Sequence, residues 1–156
     1  MQYWLMKSEP EELSIGDLEA TPAKAFPWFG VRNYQARNFM RDTMQVGDLA
    51  FFYHSGCAVP GIAGICRICS DSYPDDSQFA VGQPYFDPES KPEAPRWYLR
   101  DVRFVARSRL LPLAELRTWP QLAGMRLLAR GNRLSIMPVS EAEWKFITGE
   151  LMGLPS

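Results

Sequence analysis

What constrains this chain most is a series of short apolar runs, each cut off by turn residues within a few positions. The runs are residues 3–7, 49–54, 62–69, 97–106 and 133–137. They are rich in aromatic and branched side chains and short for helices, so each reads as a strand. Weak helical patterns lie between them. Strands scattered along the whole chain, with short helices between, specify an α+β fold. The expected form is a small mixed β-barrel of about five or six strands, closed or nearly so, with short flanking helices at its ends. The 156 residues suffice for one buried core, so a single domain over 1–156 is expected.

The helical segments carry their own start and stop signals. Ser14 caps a short helix over 14–20 with an acidic first turn. Residues 33–41 have helical spacing, with Asn33 and Arg37 one turn apart on one side. Residues 113–122 are helical but interrupted by Pro120, and Ser140 with Glu143 forms a capping box that opens a last helix to about 151. Residues 21–30 read as loop. The stretch 71–95, rich in proline, glycine and acids, reads as a long excursion, and at that length more than a plain connector. In the run 97–106, Val102, Phe104 and Ala106 fall on one face. Trp4 and Trp144 fall on core faces, and Trp119 is expected to cover the barrel.

Several classes of chemistry lack support. No apolar run approaches the roughly 20 residues that span a bilayer, so no membrane partner is expected. Three cysteines are too few for a disulfide framework and fit a reducing compartment. Cys66 and Cys69 have CxxC spacing, but inside a predicted strand their side chains point to opposite faces, so no metal site is expected. His54 is the single histidine and reads as a structural residue at a strand end. No glycine-rich phosphate cradle is present, and no cofactor is expected. The net charge is −1, yet unevenly spread: residues 96–133 hold nine arginines against two acids, and 71–93 hold six acids against one lysine. The arginines form either one of two solvated patches or a footprint for a nucleic-acid backbone.

The densest segment is Trp28-Phe29-Gly30-Val31-Arg32-Asn33-Tyr34-Gln35-Ala36-Arg37-Asn38. It sets an aromatic ring, a flexible glycine and several hydrogen-bonding groups at a helix entry. Those are the ingredients of a nucleobase pocket, though a packed amphipathic helix fits them as well. This segment resembles the signature of the EVE domain family. The resemblance continues collinearly through residues 4–10, 51–55, 60–64, 73–75, Trp97 with Asp101-Val102, 133–136 and 138–139, and so covers nearly the whole chain.

The resemblance implies a PUA-like barrel, related in architecture to YTH and ASCH domains. It implies a non-catalytic module whose pocket reads a nucleobase, expectedly a modified cytosine or adenine in DNA or RNA. The pocket is expected from Lys7, Ser8, Glu9, Trp28, Asn33, Arg37, Ser55 and Trp97, with Arg32, Arg130 and Arg133 on the nucleic-acid backbone. A monomer is expected, cytoplasmic in a bacterium and nuclear in a eukaryote. Two residues depart from the family pattern: Phe29 stands where many relatives have an acid, and Met137 where many have glutamine. Two other readings stay open. One is an enzyme or accessory factor in nucleic-acid modification or repair, using Glu9 and His54. The other is a protein-interaction module whose protein partner docks on 71–95.

Overall fold

The computed structural model describes residues 1–155. Six strands form one mixed sheet: β1 (Tyr3–Ser8), β2 (Phe26–Pro27), β3 (Leu49–His54), β4 (Gly61–Ile68), β7 (Asp101–Pro112) and β8 (Ile136–Val139). In the order β2-β7-β4-β3-β1-β8 they curl into a half-barrel. Two further strands, β5 (Tyr73–Pro74) and β6 (Tyr98–Leu99), pair only with each other. The expected α+β, PUA-like class is the one observed, as a curled sheet whose edge strands β2 and β8 do not pair.

One pairing organises the rest. β1 and β3 run parallel, and every other ladder of the main sheet is antiparallel. A parallel pair needs a long crossover, and residues 9–48 provide it. That crossover carries α1 (Ile15–Ala20), β2 and α2 (Tyr34–Asn38), which runs on into a π-helical turn at Phe39–Thr43. After β7 come α3 (Leu113–Leu116), two short 3₁₀ turns, and α4 (Glu141–Phe146), extended by a π-helical turn at Ile147–Leu151. None of the described helices is long and apolar enough to cross a membrane.

Both faces of the sheet are buried. Trp4, Met6, Ala50, Phe52 and Cys66 pack against Ile15, Leu18, Ala36 and Met40 of the crossover. On the other face Leu5, Phe51, Ile62 and Ile65 pack against Leu116, Leu122, Trp144 and Ile147. Two-sided burial explains why these strands read as unbroken apolar runs rather than alternating ones. Trp4 also donates its indole N–H to the buried Asp48 carboxylate at 3.0 Å.

The helix signals were local and accurate. Ser14 with Asp17, and Ser140 with Glu143, both form reciprocal capping boxes. Asn33 caps α2, and the 113–122 segment breaks before Pro120, leaving α3 as a single turn. The fourth strand differs from expectation. It breaks at Arg100, whose buried guanidinium donates from Nε to the Met40 carbonyl at 2.5 Å and from Nη1 to that of Ser70 at 3.1 Å. Beyond the break, β7 runs to Pro112. Phe104 lies opposite Cys66 and Ala106 opposite Ile65, so Val105 is an inserted residue. Such a bulge shifts the alternation: Phe104 packs on the crossover face and Ala106 on the other, not together as expected. β8 starts at Ile136, three residues after the predicted start at 133.

His54 ends β3, and its Nε2 accepts the backbone N–H of Ile15 at 3.1 Å, tying the sheet to the start of α1. Burial, aided by the charge of Arg107, lowers its pKa from the ordinary value. The folded protein thus favours the neutral ring, whereas the unfolded chain takes up a proton near about pH 6.5. The stabilisation is complete above that pH and is lost as pH falls through the lower, folded value. The expected result is a urea midpoint that declines on acidification below about pH 6.5, less steeply in His54→Gln than in the native chain. Equal slopes in the two proteins would rule the linkage out.

Candidate nucleic-acid interface

Parallel pairing sets the C-terminal ends of β1 and β3 side by side, with Ser8 opposite His54. Residues 7–9 and Ser55 therefore converge at one end of the sheet, where the Ser55 N–H donates to the Ser8 carbonyl at 2.9 Å. A cleft of about 310 Å³ opens there. Lys7, Ser8, Glu9 and Ser55 form one side, and Pro27, Trp28, Phe29, Gly30 and Val31 the other. Glu12, Leu13, Tyr85, Arg133 and Ser135 complete the wall.

Trp28 stands between core and cleft. It is 4% exposed and packs edge-on against Phe52, with 5.1 Å between ring centroids. Tyr85, an aromatic inside the 71–95 excursion, also lines the cleft. Its hydroxyl donates to both carboxylate oxygens of Glu12, at 2.5 and 2.6 Å. Burial first, and then this bond, push the phenol above its usual range. The Tyr85 ring lies against Gly30, where an added Cβ would come within 2.7 Å of it, and Gly30 has φ +84°. Only glycine meets both demands at low cost. Lys7 is half-buried, and burial lowers its pKa; its ammonium lies 5.7 Å from the Tyr53 ring centre. The Ser8 hydroxyl donates to the Leu13 carbonyl at 2.8 Å, which leaves its oxygen free to accept.

The excursion is ordered by two buried polar side chains. Asp75, 1% exposed, accepts from the Gly30 N–H at 2.8 Å and the Ser77 N–H at 2.9 Å, and pairs with Arg32 Nη1 at 3.3 Å. Arg32 also donates from Nε and Nη2 to the Tyr85 carbonyl, at 3.2 and 2.8 Å. Gln78, fully buried, donates to the carbonyls of Asp75 and Trp97 and accepts from the N–H groups of Arg96 and Trp97.

These contacts sort the expected residues. Lys7, Ser8, Glu9, Trp28 and Ser55 share the cleft, and Arg133 joins them. Asn33, Arg37 and Trp97 do not line it. Asn33 spends its side-chain oxygen capping α2, on the Ala36 N–H at 2.9 Å. Arg37 turns to the Arg96 carbonyl and lies over the Tyr34 ring. Trp97 is buried, stacked on Tyr34, with its indole N–H on Asp87 at 2.7 Å. That bond, chiefly, holds the Asp87 carboxyl below its usual range. Arg32, expected on a backbone, is committed to Asp75 and Tyr85. Arg130 lies in an adjoining groove that also holds Asn33 and Arg133.

Glu12, Tyr85 and Ser135 were not anticipated. Tyr85 stands beside Phe86 in an acidic, proline-rich stretch without periodicity, so nothing local marked it. Of the two departures, Phe29 sits at the cleft mouth, 37% exposed and edge-on to Tyr85, while Met137 is fully buried in the second core cluster. Of the CxxC cysteines, Cys66 is buried in the core, which pushes its thiol up, whereas Cys69, expected inside the strand, lies past its end. Among the described residues, no cluster of three His, Cys, Asp or Glu is placed to hold a metal.

Arg32→Ala strands a buried carboxylate. Breaking a buried pair typically costs about 3–5 kcal/mol; with the guanidinium 22% exposed, we expect about 2–4 kcal/mol in urea unfolding. Protease cutting within 76–90 should accelerate in parallel. Unchanged stability and an uncut excursion would show that the pair does not order it.

Residues 2–150 match the model of the EVE domain family. Human thymocyte nuclear protein 1 is 46% identical over 163 aligned residues, which cover 93% of this chain and 72% of that protein. A solved structure from Pseudomonas syringae is 45% identical, with a TM-score of 0.90 over 95% of this chain and 98% of the other. The human THYN1 protein, solved in complex with DNA containing 5-methylcytosine, is 43% identical, with a TM-score of 0.91 over the full length of both chains. A family model spanning almost every residue, and relatives this similar over most of the chain, agree with the fold: the chain belongs to the EVE domain family.

Proposed function

We propose that this protein binds nucleic acid and reads a modified base, with 5-methylcytosine in DNA as the favoured target, without altering it chemically. The observation that carries the reading is the cleft lined by Trp28 and Tyr85, in a chain of the same fold as a protein solved on DNA that contains this base. At about 310 Å³ the cleft is at the small end of ligand pockets, a size for one base lifted out of its stack.

The residue types suit a methylated pyrimidine. Trp28 offers a ring held in place by Phe52. Glu9, exposed at the rim, is placed to accept from an exocyclic amine, and Lys7 to donate to a ring carbonyl. Pro27, Phe29 and Leu13 give a methyl group an apolar surface. Binding without reaction is supported by how the reactive groups are used: His54 accepts from Ile15 outside the cleft, and Glu12 is engaged by Tyr85. The reader is proposed to act as a monomer, wherever its host keeps methylated nucleic acid.

The test is a titration of matched oligonucleotides with cytosine or 5-methylcytosine at one position. The methylated form should bind more tightly. Contacts of a base with an aromatic side chain are worth about 1–3 kcal/mol, so Trp28→Ala should weaken methylated binding by about 5- to 150-fold. Glu9→Gln, an exposed and gentler change, should weaken binding of both forms while leaving stability intact. Equal affinity for the two forms, or indifference to both variants, would refute the reading.

A further inference from the structure

Beside the cleft lies a second concavity, formed by Asn33 and Gln35 at the start of α2 and by residues 126–134. It holds Arg126, Arg130 and Arg133, all exposed. Arg133 lines both concavities, so the groove adjoins the cleft.

The arginines of this region differ in their partners. Arg96, Arg107 and Arg109 each have a carboxylate at 3.0 Å or less: Glu89, Glu19 and Glu115. Among the described residues, Arg126, Arg130 and Arg133 form no ion pair. Three uncompensated cations therefore stand together in one concavity beside the cleft, whereas Arg103 and Arg117, also exposed and in no ion pair among the described residues, line neither concavity. Their loop is also held in shape. The Asn132 side chain donates to the Arg126 carbonyl at 2.9 Å and accepts from the Leu134 N–H at 3.1 Å, and Gly131 makes the turn at φ +76°. Arg126 is steadied over the Phe39 ring, 5.5 Å from its centre. A fixed row of unpaired guanidinium groups matches a run of phosphates.

We propose that this groove carries the phosphodiester backbone on one side of the base held in the cleft, with Arg126, Arg130 and Arg133 each facing a phosphate. The proposal rests on the base-reading function and adds a division of labour to it. The cleft selects the base, and the groove supplies affinity that ignores base identity. Asn33 and Gln35 border the track rather than the base.

The experiment measures affinity for methylated and unmethylated oligonucleotides across a salt series, for the native chain and for Arg126→Gln/Arg130→Gln. Both residues are exposed and lie outside the cleft wall, and urea unfolding checks that the variant is folded. Each lost phosphate contact should reduce the slope of log affinity against log salt by about 0.7–0.9, so the double variant should lose about 1.4–1.8. It should weaken both oligonucleotides equally, leaving their ratio unchanged. A native slope and affinity in a folded variant would overturn the groove while leaving the base reader standing. A changed slope with no methyl preference in any protein would keep the groove and remove the reader. Absence of binding by the native chain at low salt would overturn both.

Discussion

The contact between Arg32 and Asp75 is the one on which the site depends. The acid is almost wholly buried and comes from a stretch with little regular structure. A carboxylate in such a place is unfavourable unless it is paired and hydrogen-bonded. Here it gathers Gly30, Ser77 and Arg32, while Arg32 reaches on to the Tyr85 carbonyl. Two segments far apart in sequence are thereby locked together, and their junction is the aromatic side of the cleft. Gly30 allows the Tyr85 ring to close against the backbone. The same contact explains why Arg32 is not available to a ligand: its donors are already committed.

The opposite side of the cleft follows from topology. Because β1 and β3 are parallel, Lys7, Ser8, Glu9 and Ser55 meet at one end of the sheet. The crossover that parallel pairing demands then lays the Trp28 segment over them. A rigid polar edge and a clamped aromatic edge leave little rearrangement for a ligand to drive, and a preformed site binds at lower entropic cost. On this account selection for a base is built into the fold, and attraction to the backbone is placed beside the cleft, on arginines that no acid neutralises.

Much of this was legible in the chain. Capping signals are local, so Ser14 and Ser140 marked helix starts correctly. Two-sided burial left apolar runs that identified β1, β3 and β4. What was hidden depends on distant partners. Nothing near Arg100 announces that its side chain is drawn to Met40 and Ser70, breaking the fourth strand. The bulge at Val105 arises from register with β4. Among site residues, those fixed by strand ends reached the cleft as expected. Asn33, Arg37 and Trp97 did not, because residue type and helix spacing say nothing of which local acceptor or ring a side chain will prefer. Tyr85 was missed for the converse reason: its position is set wholly by Glu12, Gly30 and Arg32, none of them nearby in sequence.

The central claim is that a preformed cleft between residues 7–9 and 28–31, walled by Tyr85, receives the base. Hydrogen–deuterium exchange of the free protein and of its complex with a 5-methylcytosine oligonucleotide tests it most directly. The account predicts that the Gly30 and Ser77 amides, bonded to Asp75, are already protected in the free protein. Binding should then add protection around residues 7–9, 28–31 and 85 and along 126–134. Rapid exchange at Gly30 and Ser77 in the free chain, or protection appearing on another face of the sheet, would contradict it.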